Sequence, residues 1–196
     1  MKLSLASCQY FWIHFEKSKR TKDTAMKQLE EEKIDQLLGI INRYPSIEIA
    51  HFSDGSRLLS KKIHQLCEQY GYDYRLNCTS DICYEKAAAR YATSEHITVK
   101  RFDLGRPRYM VQAKIYDYLF VTAEIADEER ASFLQKSYGI IKNAGLILIF
   151  VPAGDLKQRH IWTELLQENY FVATNTLDIF SEYDVIISKK MHGWGG

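Results

Sequence analysis

Three short stretches hold residues that could do chemistry. The first is Phe52-Ser53-Asp54-Gly55, a tight turn between the apolar run Ile47–Ala50 and a stretch from Leu58 that reads as helix. A strand, a turn and a helix in that order bring backbone N–H groups to the end of a sheet, where a ligand can rest against them. Such turns are usually rich in glycine, because glycine takes φ values other residues resist and lets a ligand approach the backbone. Here Gly55 is the one glycine, and Asp54-Gly55 is also a common turn dipeptide. The second stretch is "TAEIADEER", whose acids Glu124, Asp127, Glu128 and Glu129 suit a cationic or amine substrate or, more simply, the start of a helix, where the dipole favours negative charge. The third holds Arg101, Arg106, Arg108 and Lys114, a small group of cations. His160 is a candidate general base by location alone, or a surface histidine.

Other chemistries lack their residues. The chain contains no Gly-x-Ser-x-Gly elbow, no Gly-x-x-x-x-Gly-Lys phosphate loop and no Gly-x-Gly-x-x-Gly. The histidines are scattered without metal-ligand spacing. The cysteines Cys8, Cys67, Cys78 and Cys83 form no CxxC pair and suit reduced structural thiols, so no metal site is expected.

Elements that could position these residues alternate along the chain. The 196 residues are enough for one sizeable core, and 46% hydrophobic with 26% charged residues is ordinary for a globular protein. A net charge of +1 announces no global basic field, and no apolar run reaches the roughly 20 residues of a membrane span. A cytoplasmic protein is expected. Residues 1–45 read as an extension packed on a domain of residues 46–196. The extension holds one amphipathic helix, with Ile34, Leu37, Leu38 and Ile41 on one face, ended by Pro45. It also holds the basic "EKSKRTKDTAMK", either a solvated linker or an arm that touches phosphate or an acidic partner. Beyond it the strands are expected at 47–50, 72–78, 96–104, 116–125 and 146–152, with helices from Leu58 and at 80–92, 127–145 and 161–169. Only a short connection with Pro107 joins the third strand to the fourth. Ser80 and Asp81 are candidate helix caps. The continuous apolar "LILIFVP" marks a strand buried on both faces. Two strands without a helix between them, 170–175 and 183–189, close the chain as an antiparallel hairpin. The alternation argues a doubly wound α/β fold, mostly parallel.

With that hairpin the chain resembles the class I S-adenosylmethionine-dependent methyltransferases. The resemblance covers about residues 46–190 and rests on "YDYLFVTAEI", on "LQKSYGIIKNAGLILIFVP" with its turn Lys142-Asn143-Ala144-Gly145, and on "ENYFVATNTLDIFSEYDVIISKK". It implies a Rossmann-like sheet and S-adenosylmethionine as cofactor. The family's first loop reads acid-x-Gly-x-Gly-x-Gly. Glu48 matches the acid, and either Ala50, Phe52 and Asp54 or His51, Ser53 and Gly55 stand where the glycines belong. Phe52 either projects into the cofactor space or packs down into the core. The family's ribose-binding acid falls at Asn77 or Cys78, neither of which is an acid; Asp81 comes three or four residues late. Asp103-Leu104 matches the adenine position, and Thr122, Ala123 and Glu124 would line the reactive end. The resemblance leads to a divergent methyltransferase acting on a small molecule or RNA. The alternative is a methyltransferase-like domain without cofactor that serves as a binding or assembly module, possibly for RNA. The aromatic stretch "YFWIHF" is a candidate contact for a homodimer.

Overall fold

The computed structural model describes residues 29–110 and 113–192. The aromatic stretch, the basic arm and the last four residues lie outside them, and so does any dimer contact through residues 10–15. The described chain runs α1 (Glu31–Leu38), β1 (Glu48–Ser53), α2 (Arg57–Tyr70), β2 (Asp73–Cys78), α3 (Asp81–Arg90), β3 (Ile97–Arg101), β4 (Tyr116–Val121), a short 3₁₀ turn (Asp127–Glu129), α4 (Arg130–Ile140), β5 (Ile141–Pro152), α5 (Leu156–Glu168), β6 (Phe171–Leu177) and β7 (Tyr183–Lys190). No helix among the described residues is long and apolar enough to cross a membrane.

The seven strands form one sheet in the order β3-β2-β1-β4-β5-β7-β6. β1 to β5 are parallel; β7 pairs antiparallel with β5 and with β6. Alternation along each strand divides the core into two layers. On one face Ile49, Tyr74, Leu76 and Phe120 meet α1, α2 and α3. On the other, Ala50, Phe52, Leu119 and Val121 meet α4 and α5. The part of the N-terminal extension that is described belongs to the first layer: Ile34 and Leu37 are almost wholly buried, and Lys62 of α2 pairs with Glu31 and Asp35 of α1 at 2.8 and 2.9 Å.

Among the described residues the connection from β3 to β4 has no helix, and aromatic residues pack there. Phe102 and Tyr109 fold back onto Phe52, with ring centroids at 4.8 and 5.4 Å, and Phe133 of α4 closes the cluster at 5.6 Å. The Tyr109 hydroxyl donates to the Leu104 carbonyl at 3.2 Å and the Lys136 ammonium donates to the same oxygen at 3.1 Å, so the loop is pinned at both ends of its turn.

Several expected boundaries move: β3 ends at Arg101 rather than 104, β4 at Val121 rather than 125, and α1 at Leu38, well before Pro45. β1 runs on to Ser53 instead of ending at Ala50, because His51 and Phe52 alternate into the two buried layers. The helix expected over 127–145 stops at Ile140, and Lys142–Gly145 forms an irregular opening to β5, with Ala144 at φ 65°. α5 starts at Leu156, five residues before the expected 161, because Asp155 caps it by accepting from the Gln158 N–H at 3.0 Å.

Candidate functional site

β1 and β4 lie side by side, but their chains leave the carboxyl end in opposite directions, to α2 on one face and to α4 on the other. In doubly wound sheets such a reversal opens a crevice where ligands bind. Here the crevice floor is knotted by one carbonyl. Phe52 O accepts from Thr122 N at 2.9 Å, Ala123 N at 3.1 Å and Thr122 Oγ1 at 3.4 Å. Thr122 Oγ1 also lies 2.8 Å from His51 Nε2, and His51 Nδ1 lies 2.9 Å from the Tyr74 hydroxyl. His51 is wholly buried, and burial pushes its pKa down to about 3, so the ring is neutral at physiological pH.

The turn above this knot is shaped by a serine. Ser53 Oγ accepts from Gly55 N at 3.2 Å and from Ser56 N at 3.1 Å, and Gly55 adopts φ 154°, a value that side chains resist. Space around Gly55 is open, so its role is conformational. Asp54 lines the crevice; its Oδ1 is buried without a partner, while its carboxyl takes backbone hydrogen bonds from its own N–H and from that of Glu124. Burial raises its carboxyl above the usual range, against the lowering effect of those backbone bonds, and the charge of Glu124 adds a smaller push upward.

Two hollows flank the turn. On the β2–β3 side is an open cleft of about 550 Å³, lined among others by Thr79, Ser80, Asp81, Phe102, Asp103 and Arg106. Asp103 Oδ1 accepts from the Gly105 N–H at 2.8 Å, which sets the turn and leaves its other oxygen free of that bond. Ser80 is the cap of α3, accepting from Cys83 N at 3.2 Å, so Asp81 is not the cap and stands at the cleft, paired with Arg101 at 3.2 Å. On the β4–β5 side is a cavity of about 250 Å³ between the strand ends and α5, lined among others by Asp54, Thr122, Glu124, Arg130, Trp162 and Tyr183.

The sequence-predicted residues fall into two groups. Ser53, Gly55, Cys78, Asp103, Leu104, Thr122 and Glu124 all lie at or just beyond the carboxyl ends of β1 to β4. Asn77 and Cys78 end β2 and are buried. The register that placed Glu48, Ala50 and Phe52 in the loop is not the register of the strand. Glu48 opens β1 at the opposite end of the sheet, its N–H donating to Asp117 Oδ2 at 2.9 Å. Ala50 is buried in mid-strand, and Phe52 packs down into the aromatic cluster, leaving the crevice clear. Residues that sequence reasoning passed over are Asp54 as a cavity carboxylate, Arg130 and Trp162. No local pattern marks them, because α4 and α5 bring them together from distant positions.

No family model matches the sequence, and no curated protein matches it. Solved structures do match. A TehB-like SAM-dependent methyltransferase from Corynebacterium glutamicum is 13% identical with a TM-score of 0.62, over 95% of this chain and 100% of that one. A SAM-dependent methyltransferase from Aquifex aeolicus is 8% identical with a TM-score of 0.65, over 80% and 88%. The carbon methyltransferase domain of the citrinin polyketide synthase is 12% identical with a TM-score of 0.64, over 83% of this chain and 52% of that one. The chain spans about half the length of the carbon methyltransferases it matches. At these identities the likeness is one of fold: the protein has the class I methyltransferase sheet with its antiparallel last strands.

Proposed function

We propose that the protein is an S-adenosylmethionine-dependent methyltransferase with a small-molecule acceptor. The observation that carries the reading is the arrangement of two hollows on either side of the Ser53–Ser56 turn, at the carboxyl ends of a methyltransferase-type sheet. Phe52 stands in neither hollow, since its ring lies in the core.

The residues present fit the cofactor, though not by the family's usual set. The β2–β3 cleft would take the adenosine. Asp103 accepts from the exocyclic amine, and the Leu104 N–H lies next in the chain for a ring nitrogen. The ribose carboxylate missing at Asn77 and Cys78 is supplied instead by Asp81, from the first turn of α3; an ionised carboxylate offers only acceptors, as two hydroxyls require. Thr122 and Glu124 line the way to the second hollow. The bound cofactor supplies an activated methyl group on a sulfonium, and the protein's part is to align the acceptor with it and to exclude water.

Size favours a small acceptor over RNA. About 250 Å³ lies just below the range of roughly 300–1,000 Å³ typical of ligand pockets. Two of the cations near the site are engaged, Arg101 by Asp81 and Glu85 and Arg106 over the Phe102 ring at 5.6 Å, while Arg108 and Lys114 are exposed.

Calorimetric titration with S-adenosylhomocysteine tests the cofactor site. Saturable binding is expected, weakened about tenfold or more by Asp103→Ala and by Asp81→Ala, the cost of a charged hydrogen bond. Absence of binding at millimolar ligand would leave a methyltransferase fold kept as a binding module.

A further inference from the structure

Two buried polar atoms in the β4–β5 cavity lack partners, and they are of opposite kind. Arg130 is only 6% exposed. Its guanidinium is fixed on three sides: Nη2 donates to Asp127 Oδ1 at 2.6 Å, Nε donates to the Ile125 carbonyl at 3.4 Å, and the Trp162 ring lies beneath it at 5.1 Å. Nη1 is left with no acceptor. In the same cavity lining Asp54 Oδ1 is left with no donor, although backbone N–H groups of Asp54 and Glu124 bond to the carboxyl. A buried guanidinium N–H and a buried carboxylate oxygen without partners are each costly, so both are poised for a bound group.

The remaining charges select the group. Asp127 is spent on Arg130, and Asp155 is spent capping α5. Asp54 and the exposed Glu124 are left to face one arginine. A plain dicarboxylate would satisfy Arg130 but meet two carboxylates. A plain amine would satisfy the carboxylates but leave Nη1 empty. A molecule with a carboxylate beside an ammonium meets both.

We infer that the cavity holds the methyl acceptor as a small amino acid, its carboxylate on Arg130 Nη1 and its amine between Asp54 and Glu124, with Trp162 as the apolar wall. The inference rests on the methyltransferase reading. The same amino-carboxylate chemistry has a second source, the amino-acid end of the cofactor itself. The lining favours the acceptor, because β5, α5 and β7 contribute Val151, Gln158, Trp162 and Tyr183 on the side of β4 away from the β2–β3 cleft. Burial, which raises the Asp54 carboxyl, is the environment an ammonium partner would offset.

The test is calorimetric titration of the full-length chain, without cofactor, with each of the common L-amino acids, with the deaminated acid and decarboxylated amine of any that bind, and separately with S-adenosylhomocysteine and methylthioadenosine, which lacks the amino-acid end. The expected result is that at least one amino acid binds and that its deaminated and decarboxylated forms bind at least tenfold more weakly. Arg130→Gln then weakens the amino acid at least tenfold, Arg130→Lys weakens it less, and Asp54→Asn weakens it without disturbing α4. Neither arginine variant changes binding of S-adenosylhomocysteine. The inference is overturned if no amino acid binds to protein that melts cooperatively. It is also overturned if the deaminated acid binds as well as the parent. A loss of S-adenosylhomocysteine affinity in Arg130→Gln, with methylthioadenosine unaffected, assigns the pair to the cofactor and overturns it as well. Failure of S-adenosylhomocysteine to bind the wild type is a separate result, which removes the methyltransferase reading and not the amino-acid site.

Discussion

His51 Nε2 lies 2.8 Å from Thr122 Oγ1, and this bond ties β1 to β4 at the point where their chains part. One proton order satisfies every atom in the group. The Tyr74 hydroxyl donates to Nδ1, Nε2–H donates to Thr122 Oγ1, and the threonine hydroxyl donates to the Phe52 carbonyl. Valine has the shape of threonine without the hydroxyl. Thr122→Val therefore leaves a buried Nε2–H unpaired and should cost about 1–3 kcal/mol, read by urea unfolding at pH 7.5. An unchanged stability would show that the hydroxyl is not part of the knot.

The same histidine makes folding sensitive to acid. Its folded pKa is lowered from 6.5 to about 3, so between those values the unfolded chain takes up a proton that the folded one refuses. The contribution is complete above pH 6.5 and is lost as pH falls toward 3. The expected loss is about 1.4 kcal/mol per pH unit, hence about 2 kcal/mol between pH 6.5 and pH 5. His51→Phe should be less stable at pH 7 but should lose about 2 kcal/mol less than the wild type on acidification to pH 5. Parallel pH curves for the two proteins would contradict a neutral buried ring.

Phe52 of β1 is the anchor on which the aromatic residues after β3 pack. It is 1% exposed and touches Phe102, Tyr109 and Phe133. Phe52→Ala should cost about 3–5 kcal/mol. Because the ring lies below the crevice, Phe52→Leu should fold and keep its affinity for S-adenosylhomocysteine. A gain in that affinity on shortening the side chain would mean that the ring blocks the site.

Gly145 marks a place where no side chain fits. A Cβ there would meet Ile141 Cγ2 at 2.7 Å, the Asp117 carbonyl at 2.9 Å and the Lys142 carbonyl at 3.0 Å. Two of these neighbours are backbone and cannot swing away. Gly145→Ala should destabilise by about 1–3 kcal/mol through displacement of β5 against β4. Thermal unfolding of the variant checks it.

How much of this was legible in the chain depends on distance along it. The sheet could be read, because alternation and the apolar run at 146–152 are local signals and the closing hairpin follows from two adjacent strands. The carboxyl end of β2 could be read for the same reason, whereas β3 and β4 stop three and four residues before their expected ends. The β1 loop was misplaced by the family's spacing. An acid at Glu48 fits the motif on paper, but His51 is buried by partners on β2 and β4 that no local pattern announces, and this carries the strand three residues further. The cavity pair Asp54 and Arg130 was invisible, since the two residues lie on different elements and their missing partners exist only in three dimensions.

The central claim is that the crevice beside Ser53–Ser56 binds S-adenosylmethionine, and thermal unfolding with and without millimolar S-adenosylhomocysteine tests it most directly. Ligand at about 100 times its dissociation constant adds about 2.7 kcal/mol. For a chain of this size that raises the midpoint by roughly 5–10 °C. The account predicts a rise of that order in the wild type and in Glu48→Ala, whose side chain lies at the far end of the sheet, and a smaller one in Asp103→Ala. No rise in a wild type that melts cooperatively would contradict it.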